Sequence, residues 1–142
     1  MLERTMDMTN KILLSDGEWK LMKLLWRYAP LPLRALVEGV SEETEWSKAT
    51  VFMMLKRLVE KGAVALDDTR KPQTYYPILS RRDAAVAETG TFLARVYDGS
   101  VGLMVSSLSS RHLLTMGDIT EIRKILDRTE EALLKEESEN AR

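Results

Sequence analysis

The 142-residue chain contains no cysteine, and His112 is its single histidine. The absence of cysteine excludes disulfide bonds and thiolate ligands, and one histidine leaves no basis for a histidine-built metal site. We therefore expect no metal and no cofactor.

Long hydrophobic runs and a strong net charge are also missing. The first eleven residues, MLERTMDMTNK, are polar and match neither a signal peptide nor a membrane span, which predicts a cytoplasmic protein without membrane attachment. The formal net charge is -1, so binding to nucleic acid needs a local patch of positive charge. With 44% hydrophobic residues, the composition suits one compact domain, or a small domain with an appendage.

The first half of the chain begins with two predicted helices. Ser15 precedes Glu18 by three residues, the capping-box spacing, and Pro30 closes the helix that starts there. A short second helix follows, with Pro32 where a first turn tolerates it and Gly39 near its end.

A third helix is predicted in the stretch TEWSKATVFMMLKRLVEKG. Ser47 suits an N-cap and Gly62 a left-handed C-cap. The inward face is Val51, Leu55 and Leu58, and the opposite face carries Lys48, Ala49, Phe52, Met53 and Lys56. The apolar pair on that outer face fits a second packing surface, a dimer contact, or thymine methyl groups in a DNA groove.

Beyond Gly62 the hydrophobic period changes to two. Residues 63–66 and 74–76 predict two short strands, joined by a polar turn that contains Arg70 and Lys71. Three helices followed by a hairpin predict a mainly α winged helix-turn-helix domain, whose third helix enters the DNA major groove.

Positive charge is concentrated in that third helix. From Trp46 to Gly62 there are four cations against Glu60 alone. The candidate DNA-binding residues are Ser47, Lys48, Ala49, Thr50, Phe52, Met53, Lys56, Arg57, Arg70 and Lys71. Two alternatives remain open: an ordinary solvated charged face, and a protein-interaction module built on the same fold.

The second half predicts three more helices, the first capped by Ser80 and ended by Gly99. Their apolar stripes are too exposed for about 60 residues to form a self-sufficient core, which predicts a homodimer; folding back onto the winged helix is the alternative. The candidate dimerisation residues are Phe92, Val96, Val101, Met104, Leu108, Ile119, Ile122 and Leu126.

These patterns predict four segments: a flexible extension at 1–11, the winged helix at 12–79, a helical dimerisation domain at 80–135 and a flexible tail at 136–142. An enzyme is not expected, because the serines of SSLSSRH, although close to His112, have neither a nucleophile elbow nor an oriented acidic partner.

Four segments, LSDGEWKLMKLLW, EETEWSKATVFMMLKRLVEKGAV, YYPILSRRD and DGSVGLMVSSL, resemble the BlaI/MecI/CopY family of bacterial repressors, which includes the penicillinase repressors. The resemblance implies a homodimeric repressor on an inverted-repeat DNA operator of a β-lactam-response or related stress operon. The family motif around the groove-binding helix corresponds here to Ser47, Thr50 and Arg57. An inactivating protease, such as a membrane sensor metalloprotease, is a further implied partner.

The chain departs from the family pattern at informative places. Phe52 and Met53 stand where Lys and Thr are common, and Ala49 replaces a common Lys, so operator preference does not transfer. The cysteine cluster of copper-responsive members is absent, which excludes that kind of sensor. The Asn-Phe bond cut in penicillinase-type relatives is missing, and Ser106 and Ser107 lie at about its place.

Overall fold

A computed structural model describes residues 12–141, which form six helices and three short strands. The helices and the last two strands follow the predicted order. The elements are α1 Asp16–Tyr28, β1 Leu31–Pro32, α2 Leu33–Val40, α3 Lys48–Glu60, β2 Val64–Asp67, β3 Thr74–Pro77, α4 Arg81–Tyr97, α5 Val101–Ser110 and α6 Met116–Asn140. The predicted flexible extension at 1–11 and the last residue of the predicted tail lie outside the described residues.

Helix α1 begins at the predicted capping box. The Ser15 hydroxyl accepts a hydrogen bond from the Glu18 N–H at 3.2 Å, and the Glu18 carboxylate accepts one from the Ser15 N–H at 2.8 Å. Helix α2 crosses close to α1 at Gly39, where a Cβ would lie 2.7 Å from Cδ1 of Leu24. The glycine near the end of α2 therefore permits the close approach of the two helices.

The three strands form one antiparallel sheet in the order β1-β3-β2. Tyr75 is central, paired with Leu31 of β1 on one side and Leu66 of β2 on the other. The hairpin and the mainly helical fold class are confirmed, with β2 shifted by one residue from the prediction. β1 was not predicted, because two residues are too few to show an alternating pattern.

The core of the first part of the chain lies between α1, α2, α3 and the sheet. The predicted inward face of α3 is fully buried, and it packs with side chains from every neighbouring element. The core comprises Leu14, Leu21, Met22, Leu25, Leu36, Val40, Val51, Leu55, Leu58, Ala63, Val64, Tyr75 and Ala84.

The described residues divide into two compact units, one up to Phe92 and one from Leu93 onward. The division therefore falls inside α4, not at the expected boundary between residues 79 and 80. The physical reason is that the start of α4 packs on the first unit: Ala84 is buried, and the Arg81 guanidinium lies 5.9 Å from the ring centroid of Trp26. A boundary at residue 79 would cut through these contacts.

In the second unit, α5 and α6 bury no residue completely. Helix α6 starts at a capping box formed by Thr115 and Asp118 and continues to Asn140. Residues 136–140, predicted as part of a flexible tail, are helical in the structure. Alanine, leucine, glutamate and lysine dominate the segment before them, and no glycine or proline follows Gly117, so nothing stops the helix.

Candidate nucleic-acid interface

The start of α3 is held by two of the predicted contact residues. The Ser47 hydroxyl accepts a hydrogen bond from the Thr50 N–H at 3.2 Å and lies 3.1 Å from the Thr50 hydroxyl. Ser47 is thus the N-cap, as predicted, and both side chains remain exposed. This exposed, positive helix end favours a phosphate or another anion.

The end of α3 is equally well defined. Gly62 has φ 84°, the left-handed conformation that glycine adopts at no steric cost. Its N–H donates to the Val59 carbonyl and the next N–H, of Ala63, donates to the Leu58 carbonyl, which is the Schellman arrangement. The chain therefore leaves α3 in a fixed direction and enters β2 at once.

The outer face of α3 is open to solvent in the described structure. Phe52 is 46% exposed and Met53 49%, although both are large apolar side chains. The other candidate residues on this helix are also exposed, namely Lys48, Ala49, Lys56 and Arg57. Among the described residues of the first unit, none buries the apolar pair, so its side chains are open to contact with DNA or with another protein.

One side of α3 packs against α1 at Gly17. A Cβ at Gly17 would collide with the Met54 methyl group and lie 3.0 Å from the ring of Trp46. Both side chains fill the space that the glycine leaves open. The sequence alone did not reveal this role, because Gly17 looks like an ordinary first-turn residue of α1.

An ion pair between exposed Lys61 and a buried carboxylate fixes the other end of α3. The Lys61 ammonium lies 2.5 Å from the carboxylate of Glu18, which is 3% exposed, and it also donates to the Leu13 carbonyl at 2.9 Å. Burial raises the pKa of Glu18, but hydrogen bonds from Lys61 and Ser15 lower it more, so the carboxyl group titrates below its usual value.

This ion pair corrects the sequence-based estimate of the basic patch. Lys61 was counted among its four cations, but its charge is directed at Glu18 and compensated there. The cations that α3 exposes for binding are Lys48, Lys56 and Arg57.

The hairpin carries the remaining candidates, Arg70 and Lys71, both exposed in the turn between β2 and β3. The turn is ordered by Asp67, whose carboxylate accepts hydrogen bonds from the Thr69 hydroxyl at 2.6 Å and the Thr69 N–H at 3.0 Å. These bonds, together with the nearby charge of Arg70, lower the pKa of Asp67. The turn thus presents two cations from a locally organised loop.

Two kinds of site are not found between residues 12 and 141. No group of acidic or histidine side chains there could hold a metal ion. No described helix has the length and apolar character needed to cross a membrane.

Comparison with known proteins identifies the family of this chain. The family model described as penicillinase repressor matches residues 14–128, which is most of the chain. The chain belongs to the penicillinase repressor family. Its members are transcriptional repressors and not enzymes, in agreement with the interpretation of the serines around His112.

Curated relatives and a solved structure are similar over much of their lengths. The penicillinase repressor of Bacillus licheniformis is 28% identical over 114 residues, 80% of this chain and 89% of the relative. The methicillin resistance regulatory protein MecI of Staphylococcus aureus strain N315 is 25% identical over 115 residues, 81% and 94% respectively. The Bacillus licheniformis BlaI monomer in complex with the blaP half-operator has 27% identity and a TM-score of 0.46, covering 51% of this chain and 89% of that one.

Proposed function

We propose that this member of the penicillinase repressor family binds an inverted-repeat operator as a homodimer and so blocks transcription in the cytoplasm. Each copy inserts the outer face of α3 into a major groove. The observation that carries the proposal is the exposed pair Phe52 and Met53 on a helix that is capped, anchored on its inner side and flanked by unpaired cations.

The side chains of this interface divide by the kind of contact they make. Lys48, Lys56 and Arg57 on α3, with Arg70 and Lys71 in the hairpin turn, contact phosphates, which position the protein without reading sequence. Phe52 and Met53 contact the methyl groups of thymine, a direct readout that discriminates between base pairs. Ser47, Ala49 and Thr50 lie at the end of α3 that points toward the DNA.

The second unit, together with Phe92 at the end of the first, supplies the dimer contacts. Leu126 is 59% exposed, and α5 and α6 have no completely buried residue, although both helices carry large apolar side chains that are exposed. A second copy covers this surface and holds two heads at the spacing that a two-fold operator requires. The predicted residues are Phe92, Val96, Val101, Met104, Leu108, Ile119, Ile122 and Leu126.

The regulated operon is proposed from the relatives. The penicillinase repressor and the methicillin resistance regulatory protein are named for resistance to β-lactams. A β-lactam-response or related stress operon is therefore the proposed target. The base preference within the operator is expected to differ from that of the relatives, because Phe52 and Met53 depart from the family pattern.

A second candidate function is specific protein binding through the same outer face. It is favoured by the exposure of Phe52 and Met53, since exposed apolar clusters also mark protein contacts. The salt dependence of binding distinguishes DNA binding from protein binding, because phosphate binding releases counterions and weakens steeply as salt rises.

Replacement of both hairpin cations by alanine is expected to weaken binding to every duplex to a similar degree. Arg70→Ala/Lys71→Ala removes two phosphate contacts from each copy of the dimer, four in all, so the slope of log affinity against log salt should become shallower by about 4. Fluorescence anisotropy over a salt series measures this slope. Lys124→Ala/Arg128→Ala, which removes the same charge from α6, serves as the control and should keep the wild-type slope. A salt-independent affinity of the wild-type protein would instead support the protein-binding alternative.

The missing Asn-Phe bond leads to a prediction about induction. A protease pocket built for a large aromatic side chain loses on the order of 1–3 kcal/mol per missing methylene equivalent or two, so Ser106 and Ser107 are poor substitutes. We expect release of the operator through a protease of different specificity, or through another signal that acts on the dimer. Immunoblots of the host during β-lactam exposure follow the intact chain, and prompt cleavage between Ser106 and Ser107 would refute this expectation.

A further inference from the structure

Helix α6 carries an apolar stripe along one side. With 3.6 residues per turn, Ile119, Ile122, Leu126, Thr129 and Leu133 fall at alternating steps of three and four, the a and d positions of a heptad. Leu126 and Leu133 are 59% and 56% exposed. The family match ends at residue 128, so the second half of the stripe lies beyond the matched region.

Charge is distributed unevenly along the same helix. Residues 118–128 contain three acidic and three basic side chains, whereas residues 129–140 contain five acidic side chains and a single base, Lys135. Two such helices side by side in parallel would bring the acidic halves together. Side by side in opposite directions, each acidic half meets the half that carries the bases.

We infer that α6 pairs with α6 of a second copy in the antiparallel direction. The inference rests on the proposed homodimer and specifies how its two copies meet. In heptad terms, a positions face d positions of the antiparallel partner. The register in which the two stripes overlap along their whole length sets Ile122 against Leu133 of the second copy and Leu126 against Thr129 of the second copy. The same register places Arg123 beside Glu130 of the second copy.

The parallel arrangement is worse at two places. Glu136 occupies the next d position after Thr129, so a parallel pair puts two Glu136 carboxylates opposite each other in the stripe. The five acidic side chains of each C-terminal half would also lie side by side, and like charges at such distances destabilise a helix pair. In the antiparallel pair Glu136 faces Ile119 at the end of the contact, where the carboxylate stays in water.

The absence of cysteine allows a direct test on the full-length chain. Ile122→Cys/Leu133→Cys should form disulfide-linked dimers under oxidised glutathione, because the two positions face each other across the antiparallel pair. The single variants Ile122→Cys and Leu133→Cys should not link. In the antiparallel pair each cysteine lies about 16 Å along the helix axis from the cysteine of the second copy, eleven residues at 1.5 Å each. Efficient linking in either single variant, or none in the double variant, would overturn the antiparallel pairing.

Charge reversal gives an independent readout of the register. Arg123→Glu and Glu130→Arg should each raise the dimer dissociation constant by roughly three- to tenfold, and the double variant should return close to wild type, as measured by sedimentation equilibrium. Lys124→Glu changes the charge equally on the opposite side of α6, and it should raise the dissociation constant less than Arg123→Glu does. Equal effects of Arg123→Glu and Lys124→Glu without rescue would contradict the register.

Failure of this inference is distinguishable from failure of the proposed function. A wild-type chain that sediments as a dimer and binds an inverted repeat, but links through single cysteines, refutes only the antiparallel pairing. A wild-type chain that is a monomer at micromolar concentration refutes the homodimer and the pairing together.

Discussion

A chain that ends at Phe92 is expected to bind a two-fold operator about 10²–10⁴ times more weakly than the full-length protein. The fragment keeps the first compact unit, including the start of α4 that contains buried Ala84, and it keeps α3 and the hairpin. It loses α5 and α6, and with them the link that makes binding of the second head intramolecular. Sedimentation should show a monomer, and anisotropy titrations should show the loss of affinity.

The matched control for this truncation is a single half-site. Fragment and full-length chain should bind one half-site with similar affinity, because the same side chains make the contacts in both. Tight binding of the fragment to the complete operator, equal to that of the full-length chain, would contradict the dimer account. Ending the fragment at Leu79 is a poorer design, since it removes the contacts of α4 with the first unit.

Lys61→Met is expected to lower the free energy of unfolding by about 2–4 kcal/mol. The substitution keeps the length of the side chain but leaves the buried Glu18 carboxylate without its cation, and an uncompensated buried charge typically costs about 3–5 kcal/mol. The lower range reflects the partial exposure of Lys61, which lets water reach the pair. Urea denaturation at neutral pH measures the change.

Glu18→Gln/Lys61→Met is the matched control, and it should recover much of the lost stability. Glutamine at this position still completes the capping box with Ser15, and no charge is left buried without a partner. A Lys61→Met protein within about 0.5 kcal/mol of wild type, the scatter of ordinary surface substitutions, would show that the pair does not fix α3.

The same pair predicts an acid dependence of stability. The pKa of Glu18 is lowered in the folded protein, so its stabilising contribution is complete above the unfolded pKa of about 4.3 and is lost as the pH falls below that value. Unfolding free energies at pH 6 and at about pH 3 should therefore differ less for the double variant than for wild type.

Local signals in the sequence predicted much of the first unit. Ser15, Ser47 and Gly62 act on backbone groups within a few residues, so the ends of α1 and α3 could be derived from residue type and spacing alone. The outer face of α3 followed from helical periodicity, and the exposure of Phe52 and Met53 agrees with it. Their contact with bases stays a prediction.

Long-range contacts explain what the sequence did not reveal. Lys61 and Glu18 are separated by 43 residues, and no local pattern connects them. The extension of the first unit into α4 depends on the burial of Ala84 and on the contact of Arg81 with the ring of Trp26, residues that are far apart in the sequence. The strand β1 forms only because β3 is beside it.

The base preference of α3 variants is the decisive test of whether the outer face of α3 reads operator sequence. The claim is that the outer face of α3 reads operator sequence through an apolar pair that the family pattern does not provide. Selection from a random duplex pool by the wild-type protein, followed by affinities for every single-base change of the selected site, gives the preference at each position. We expect an inverted repeat in which Phe52→Ala or Met53→Ala reduces the preference for a thymine in each half-site by roughly 1–3 kcal/mol, with the salt slope unchanged. Variants that keep the wild-type preference at every position would contradict this expectation.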